Sequence, residues 1–317
     1  MTADIRLLPQ LTAKAGAVAH PDGGPCGCGT ASVTLADRPD ATVVRHAGTV
    51  AKAHAPDTDP AELTVRLTTA TRLADVLLAP VVRTPVTVDG RLVTFWPYGT
   101  PVDPDDPDAA PWEAAATLLA RLHRAPAPAS APLMRGPAKA ARAVTRLHRA
   151  LAGEDHPTAA PVLRAWAALP AWARAEAPMP GLTTLCHGDL HLGQLVRHPA
   201  PDGPWRLIDV DDLGVGVPAW DLARPAAWYA CGLLPPDEWT RFLTAYRTAG
   251  GPAVPPDGDP WPALDVPARA LTVQTAALVI SKARAADRSL DEVEQSVVDA
   301  CARMGSVPPE LSHGFPK

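Results

Sequence analysis

The chain has 317 residues, 47% apolar and 20% charged, with a formal net charge of -5 and a mean hydropathy of -0.01. That length suffices for one large core or two medium ones, and the basic excess that a nucleic-acid partner calls for is missing. No run approaches about 18 consecutive apolar residues, so no membrane partner is expected.

Met1 to Arg6 carry neither the basic nor the apolar region of a signal peptide, and the five cysteines (26, 28, 186, 231, 301) are odd in number and sparse. Both features point to the reducing cytoplasm. Cys26-Gly27-Cys28 has the form of half a metal site, but no second close pair follows, so ordinary thiols are the expectation. Residues 1–30 show no clear element, and the glycines and prolines of 21–29 suggest a loop.

From residue 31 the pattern turns β-rich. Strands are expected at 32–35, 41–45 and 49–54, separated by the turn signals Ala36-Asp37-Arg38-Pro39-Asp40 and Ala47-Gly48. A helix follows, with Asp59 as its cap, Pro60 in its first turn and Glu62 as the capping-box partner. Asp89-Gly90, between apolar runs 86–88 and 91–96, is a strong hairpin signal. Pro97-Tyr98-Gly99-Thr100-Pro101 breaks the last strand, and the acidic, proline-rich stretch beyond it reads as a linker. The expected boundary lies near residue 100, with a small sheet-rich lobe at 1–100 and a larger helical lobe at 101–317. Helices are expected at 112–123, 138–152, 162–173, 220–229, 238–248, 267–286 and 290–304, and the tail from 306 is expected to be peripheral.

The chemistry concentrates in Cys186-His187-Gly188-Asp189-Leu190-His191-Leu192-Gly193-Gln194 and, past a short strand, Ile208-Asp209-Val210-Asp211-Asp212. Asp189 on a loop can accept a hydrogen bond from a substrate hydroxyl and orient it toward a terminal phosphoryl group; the plainer reading is an Asp that caps its own loop. His187 serves better as a brace for that loop than as a general base. Gln194 and Asp209 offer hard oxygen ligands for magnesium, or else local loop hydrogen bonds. Three carboxylates within four residues need a cation or a base between them. In strand register Asp209 and Asp211 share a face and Asp212 does not, which favours Asp211 over Asp212 as an auxiliary metal ligand; the plainer reading is that Asp211 and Asp212 form a capped turn with Gly214. Lys52, within the expected strand 49–54, is the candidate cation for nonreacting phosphates, or a solvated edge residue. Glu62 is either its partner or a capping residue.

The motif from His187 to Gln194 followed by Ile208-Asp209 resembles the signature of the aminoglycoside phosphotransferase and choline kinase superfamily. The resemblance implies an α+β, bilobal, protein-kinase-like fold that binds ATP and Mg2+. It would make Asp189 the catalytic aspartate, Gln194 and Asp209 the metal ligands, and Lys52 with Glu62 the pair that holds the α and β phosphates. Leu118-Leu119-Ala120-Arg121-Leu122-His123 is similar to a helix of these kinases. Val217-Pro218-Ala219-Trp220-Asp221-Leu222-Ala223 is similar to a segment supporting the catalytic centre, with Asp221 caging backbone donors.

Two departures stand out. Gln194 replaces the usual Asn, a form similar to that of maltose and amino-sugar kinases. The 36–40 turn lacks the glycines of a phosphate loop, which leaves Arg38 to supply a side-chain contact or the 21–29 segment to fold over the cleft. Phe95-Trp96-Pro97-Tyr98-Gly99 fits an adenine hinge through backbone groups near Trp96 and Tyr98, or an ordinary strand end. The implied activity is transfer of the γ-phosphate of ATP to a hydroxyl of a small polar acceptor. An aminoglycoside-like antibiotic, hence antibiotic resistance, or a sugar or amino sugar would serve. The alternatives are a choline-like alcohol kinase, with Trp220, Trp228 or Tyr229 building an aromatic cage for a quaternary ammonium, and a nucleotide-binding module without turnover.

Overall fold

A computed structural model describes residues 7–21, 28–154, 156–181 and 184–304. The chain has a bilobal α+β architecture of the kinase-like type, with a sheet-rich N-terminal part and a helical C-terminal part. Two compact units result. The first takes the chain through Leu118, then Pro128–Pro132 and Leu192–Asp211; the second takes Leu119–Ala127, Leu133–His191 and the chain from Asp212.

In the first unit α1 (Leu7–Ala19) precedes β1 (Val33–Arg38), β2 (Ala41–His46), β3 (Thr49–Ala53), α2 (Pro60–Arg72), β4 (Val86–Val88) and β5 (Arg91–Pro97). The strands form one antiparallel sheet in the order β1-β2-β3-β5-β4. Leu7, Leu11 and Ala15 of α1 join a core with Val44, Ala51, Ala53, Val93 and Phe95. Strand alternation sends Ala51 and Ala53 into that core and Lys52 to the opposite face. The Asp59 carboxylate accepts the Glu62 backbone N–H at 2.9 Å, which caps α2. Asp89 and Gly90 take positive φ (49° and 73°), as the tight turn between β4 and β5 requires. A second small sheet joins β6 (Thr100–Pro101), β8 (Leu195–Arg197) and β9 (Trp205–Leu207) in the order β6-β8-β9. Helix α3 (Trp112–Arg124) begins in the first unit and ends in the second.

The second unit contains α4 (Gly136–Leu151), α5 (Ala160–Ala167), β7 (Thr184–Cys186), β10 (Gly214–Gly216), α6 (Ala223–Cys231), α7 (Pro236–Thr248), α8 (Trp261–Ala285) and α9 (Glu292–Met304). Its core packs Val144 and Leu147 of α4 with Val162 of α5, Val273, Ala277 and Ile280 of α8, and Val298 and Cys301 of α9. Strand β7 pairs antiparallel with β10 and carries the loop that begins at His187.

Four expectations need correction. Residues 7–19 are helical, where no element was expected. Helix α8 starts at Trp261 rather than at Pro267, which sits inside it; burial along 25 residues outweighs the local cost of one proline, about 3 kcal/mol. The expected helix 220–229 splits into a 3-10 turn, Pro218–Trp220, and α6. Val210–Asp212 is a 3-10 turn rather than a strand. Helix α8 is also long and apolar enough to cross a membrane by length and composition, yet 61% of that apolar window is buried within the fold. The suggested cover segment within 21–29 and the tail from 306 lie mostly or wholly outside the described residues.

Candidate active site

Two clusters of cations and carboxylates hold the candidate acids, one in each unit. In the first, β3 presents Lys52, whose Nζ donates to Asp209 Oδ1 at 2.6 Å and stands 2.9 Å from Asp211 Oδ2. Asp209 comes just past β9 with a left-handed backbone, φ 63°. A non-glycine residue there carries about 1 kcal/mol or more of strain, a condition that concentrates at functional positions. Asp211 turns its other oxygen to His54 Nδ1 at 2.8 Å. His54 Nε2 lies 2.8 Å from Thr94 Oγ1, which also accepts the Trp96 indole N–H at 2.8 Å. The β3–β5 register places Thr94 opposite Lys52.

Burial acts to lower the Lys52 pKa, but the charges of Asp209 and Asp211 outweigh it and hold the ammonium above its ordinary value. Burial likewise works to raise Asp211, and Lys52 and His54 overcome it, so that carboxyl stays well below the usual range. Gln194 is buried at the end of the 3-10 turn Leu192–Gln194, and its carbonyl accepts the Ile208 backbone N–H at 2.9 Å.

In the second unit the loop after β7 is held by Asp221. Its two oxygens accept the backbone N–H groups of His187 (2.6 Å) and Gly188 (2.7 Å). His123 Nε2 lies 3.0 Å from Asp221, and His123 Nδ1 lies 2.7 Å from the Tyr246 hydroxyl. That hydroxyl accepts the Ala253 N–H at 3.0 Å. A consistent proton order follows, with Tyr246 donating to Nδ1 and Nε2–H donating to Asp221. Gly188 has φ 85°, and a Cβ there would stand 2.5 Å from the Asp212 carbonyl oxygen, so this position takes only glycine.

The braced loop presents Asp189. Lys139 Nζ donates to its Oδ2 at 2.6 Å and Arg224 Nη2 to its Oδ1 at 3.0 Å. Lys139 also donates to Asp212 Oδ2 at 2.7 Å, and Arg224 Nε donates to the Leu190 carbonyl at 3.0 Å. Burial pushes the Asp189 carboxyl up, but Lys139 and Arg224 dominate and bring it down to about 2. A small recess beside it is lined by Lys139, Trp220, Arg224, Leu271 and Gln274.

The expected residues distribute unevenly. Lys52, Asp209 and Asp211 come together. The expected Lys52–Glu62 pair is not formed; Glu62 reaches Arg66 at 3.1 Å, one helical turn along α2. Arg38 ends β1, largely exposed and 3.7 Å from Asp40, so it is engaged within its own hairpin turn. Tyr98 does not offer a free backbone edge: its N–H donates to the Gly48 carbonyl at 2.7 Å and its carbonyl lies 3.3 Å from His198 Nδ1. The Trp96 side chain is buried on Thr94. Of the rings expected in an aromatic cage, Trp220 packs edge-on to Trp172 and Tyr229 stacks with Trp239 and Trp261.

Lys139, Arg224 and His54 were not anticipated. A faint signal existed for Lys139, one of only five lysines among 29 basic residues. Arg224 directly follows the segment that includes Asp221.

Residues 36–264, well over half of the chain, match the phosphotransferase enzyme family. The chain belongs to that family. This phosphotransferase is similar in fold to a choline/ethanolamine kinase family protein from Mesorhizobium loti, at 17% identity and a TM-score of 0.56, covering 93% of this chain and 95% of that one. It is similar also to a thermostable mutant of the aminoglycoside phosphotransferase APH(4)-Ia, at 14% identity and a TM-score of 0.57, covering 87% and 95%. An ethanolamine kinase from Plasmodium vivax matches at 12% identity and a TM-score of 0.51, covering 93% and 86%. No curated protein sequence matches the chain. These likenesses support a general phosphotransferase of the aminoglycoside phosphotransferase and choline kinase superfamily without distinguishing its acceptor.

Proposed function

We propose that this phosphotransferase moves the γ-phosphoryl group of ATP to a hydroxyl of a small polar acceptor, an aminoglycoside-like antibiotic or a sugar or amino sugar. The observation that carries the proposal is Asp189, kept ionised between Lys139 and Arg224 on a loop that Asp221 holds by two backbone donors. A rigid, charged carboxylate can receive the hydrogen bond of an acceptor hydroxyl and aim its oxygen at phosphorus. The hydroxyl oxygen forms the new P–O bond, ADP departs with the electrons of the old one, and the proton passes late to Asp189.

Lys52 contacts the nonreacting phosphates in this reading. The carboxylates beside it fit magnesium, since Asp209 and Asp211 already turn hard oxygens toward one cation. When bound, magnesium supplies charge neutralisation for the polyphosphate. Asp209 and Gln194 would hold it, with Asp211 as auxiliary. Cys186, Cys231 and Cys301 are free thiols, which suits the cytoplasm.

ATP consumption across aminoglycosides, peptide antibiotics, free sugars, amino sugars and choline tests the proposal, with product mass as the readout. An acceptor gaining about 80 Da supports phosphoryl transfer. Tight nucleotide binding with no turnover across the panel would instead favour a module that binds without reacting. Asp189→Ala is expected to leave nucleotide affinity largely intact and to abolish most turnover; unchanged turnover removes the role of Asp189.

A further inference from the structure

The first unit holds a second constellation that phosphoryl transfer does not use. His20 follows the end of α1, Cys28 lies in a turn, and His46 ends β2. His20 Nε2 stands 3.3 Å from His46 Nε2, and Cys28 Sγ stands 3.7 Å from the same His46 atom. The three potential ligand atoms all lie within 4.8 Å of one another. We propose that His20, Cys28 and His46 bind a transition-metal ion, zinc by ligand chemistry, in a structural site of the first unit.

Two edges of the triangle have the spacing of a coordination shell, and the third lies within 4.8 Å. Zinc bonds of about 2.0–2.1 Å to nitrogen and about 2.3 Å to sulfur in a tetrahedron set N···N at about 3.3 Å and N···S at about 3.6 Å. The observed edges, 3.3 and 3.7 Å, match both values. As a direct N–H···N hydrogen bond, 3.3 Å is long.

The surroundings also prepare a ligand. Ser32 Oγ lies 2.9 Å from His46 Nδ1, and a proton on Nδ1 donated to Ser32 leaves the Nε2 lone pair for the ion. The two imidazole rings meet nearly perpendicular, at 83°, so both Nε2 atoms can face one point without the rings colliding. Three ligands leave the fourth position to water. Soft thiolate and imidazole select zinc or cobalt over magnesium, which separates this site from the carboxylate cluster at Lys52. An ion here would tie the end of α1 and residue 28 to β2.

Cobalt titration of the full chain tests the site. One equivalent of Co2+ is expected to give a thiolate-to-cobalt charge-transfer band in the near ultraviolet, together with visible bands of tetrahedral intensity. Cys28→Ser is expected to abolish the charge-transfer band. His20→Ala is expected to lower cobalt affinity by more than about tenfold, the scale already associated with losing a supporting contact. Cys28 is exposed, so its serine variant should fold; unchanged far-ultraviolet circular dichroism checks both variants. Absence of the charge-transfer band in the unaltered chain overturns the proposal. So does a spectrum and affinity that stay the same in both variants, which would place the cobalt elsewhere.

Discussion

Asp189 holds both of its oxygens against cations, and that pairing fixes its protonation. Its carboxyl is brought from 3.8 to about 2 after Lys139 and Arg224 overcome the opposing effect of burial. A carboxyl depressed this way contributes stability, about 2 kcal/mol, that is complete above its unfolded value and is lost as pH falls through about 2. It is therefore ionised throughout the pH range in which the chain is expected to work. Lys139→Met removes one of the two cations, so the Asp189 pKa should climb toward the ordinary value. The acid limb of kcat/KM should then move to higher pH; an unmoved limb would mean that Lys139 does not set the charge of Asp189. Asp189 and Asp209 were legible because motif chemistry is local, and Lys52 was legible only through the family resemblance that the motif carries. Lys139, Arg224 and His54 were not, since they meet their carboxylates across 50, 35 and 157 residues, and no short pattern announces such pairs.

Helix α2 shows what a local signal can and cannot settle. Asp59, Pro60 and Glu62 announce its start, and the Asp59 carboxylate caps the Glu62 N–H at 2.9 Å. Replacing the cap leaves a helix donor without its side-chain acceptor, so Asp59→Ala should cost about 1 kcal/mol. Urea denaturation measures this, with a lower midpoint at an unchanged slope; an unaltered midpoint would show that the cap contributes nothing. The second role expected of Glu62 failed for a packing reason. Arg66 lies one turn along the same helix, whereas Lys52 is already engaged by two carboxylates. The β3 and β5 strands and the Asp-Gly hairpin were readable because alternation and turn chemistry are short-range. Helix α1 carried a readable stripe, Leu7, Leu11 and Ala15, but Pro9 within it and the glycine-rich stretch after it obscured the element.

The division of the chain gives neighbouring residues different work. The first unit ends one segment at Asp211 and the second resumes at Asp212, so the boundary falls on a single peptide bond. Asp211 belongs with Lys52 and His54; Asp212 belongs with Lys139, which it shares with Asp189. Strand register had separated the two acids, although a 3-10 turn rather than a strand is what carries them. The separation has a kinetic consequence. Asp211→Asn removes one counter-charge from Lys52 and should act on the nucleotide, raising its KM severalfold while acceptor KM stays level. Asp212→Asn frees Lys139 from one of its two carboxylates and tightens its hold on Asp189, which competes with the acceptor hydroxyl. Its effect should fall on kcat and acceptor KM, with nucleotide affinity preserved. Steady-state kinetics with each substrate varied in turn, together with nucleotide titration, resolves the two patterns. If both variants lose nucleotide affinity alike, the three acids act as one cluster and the division of roles between Lys52 and Lys139 is wrong.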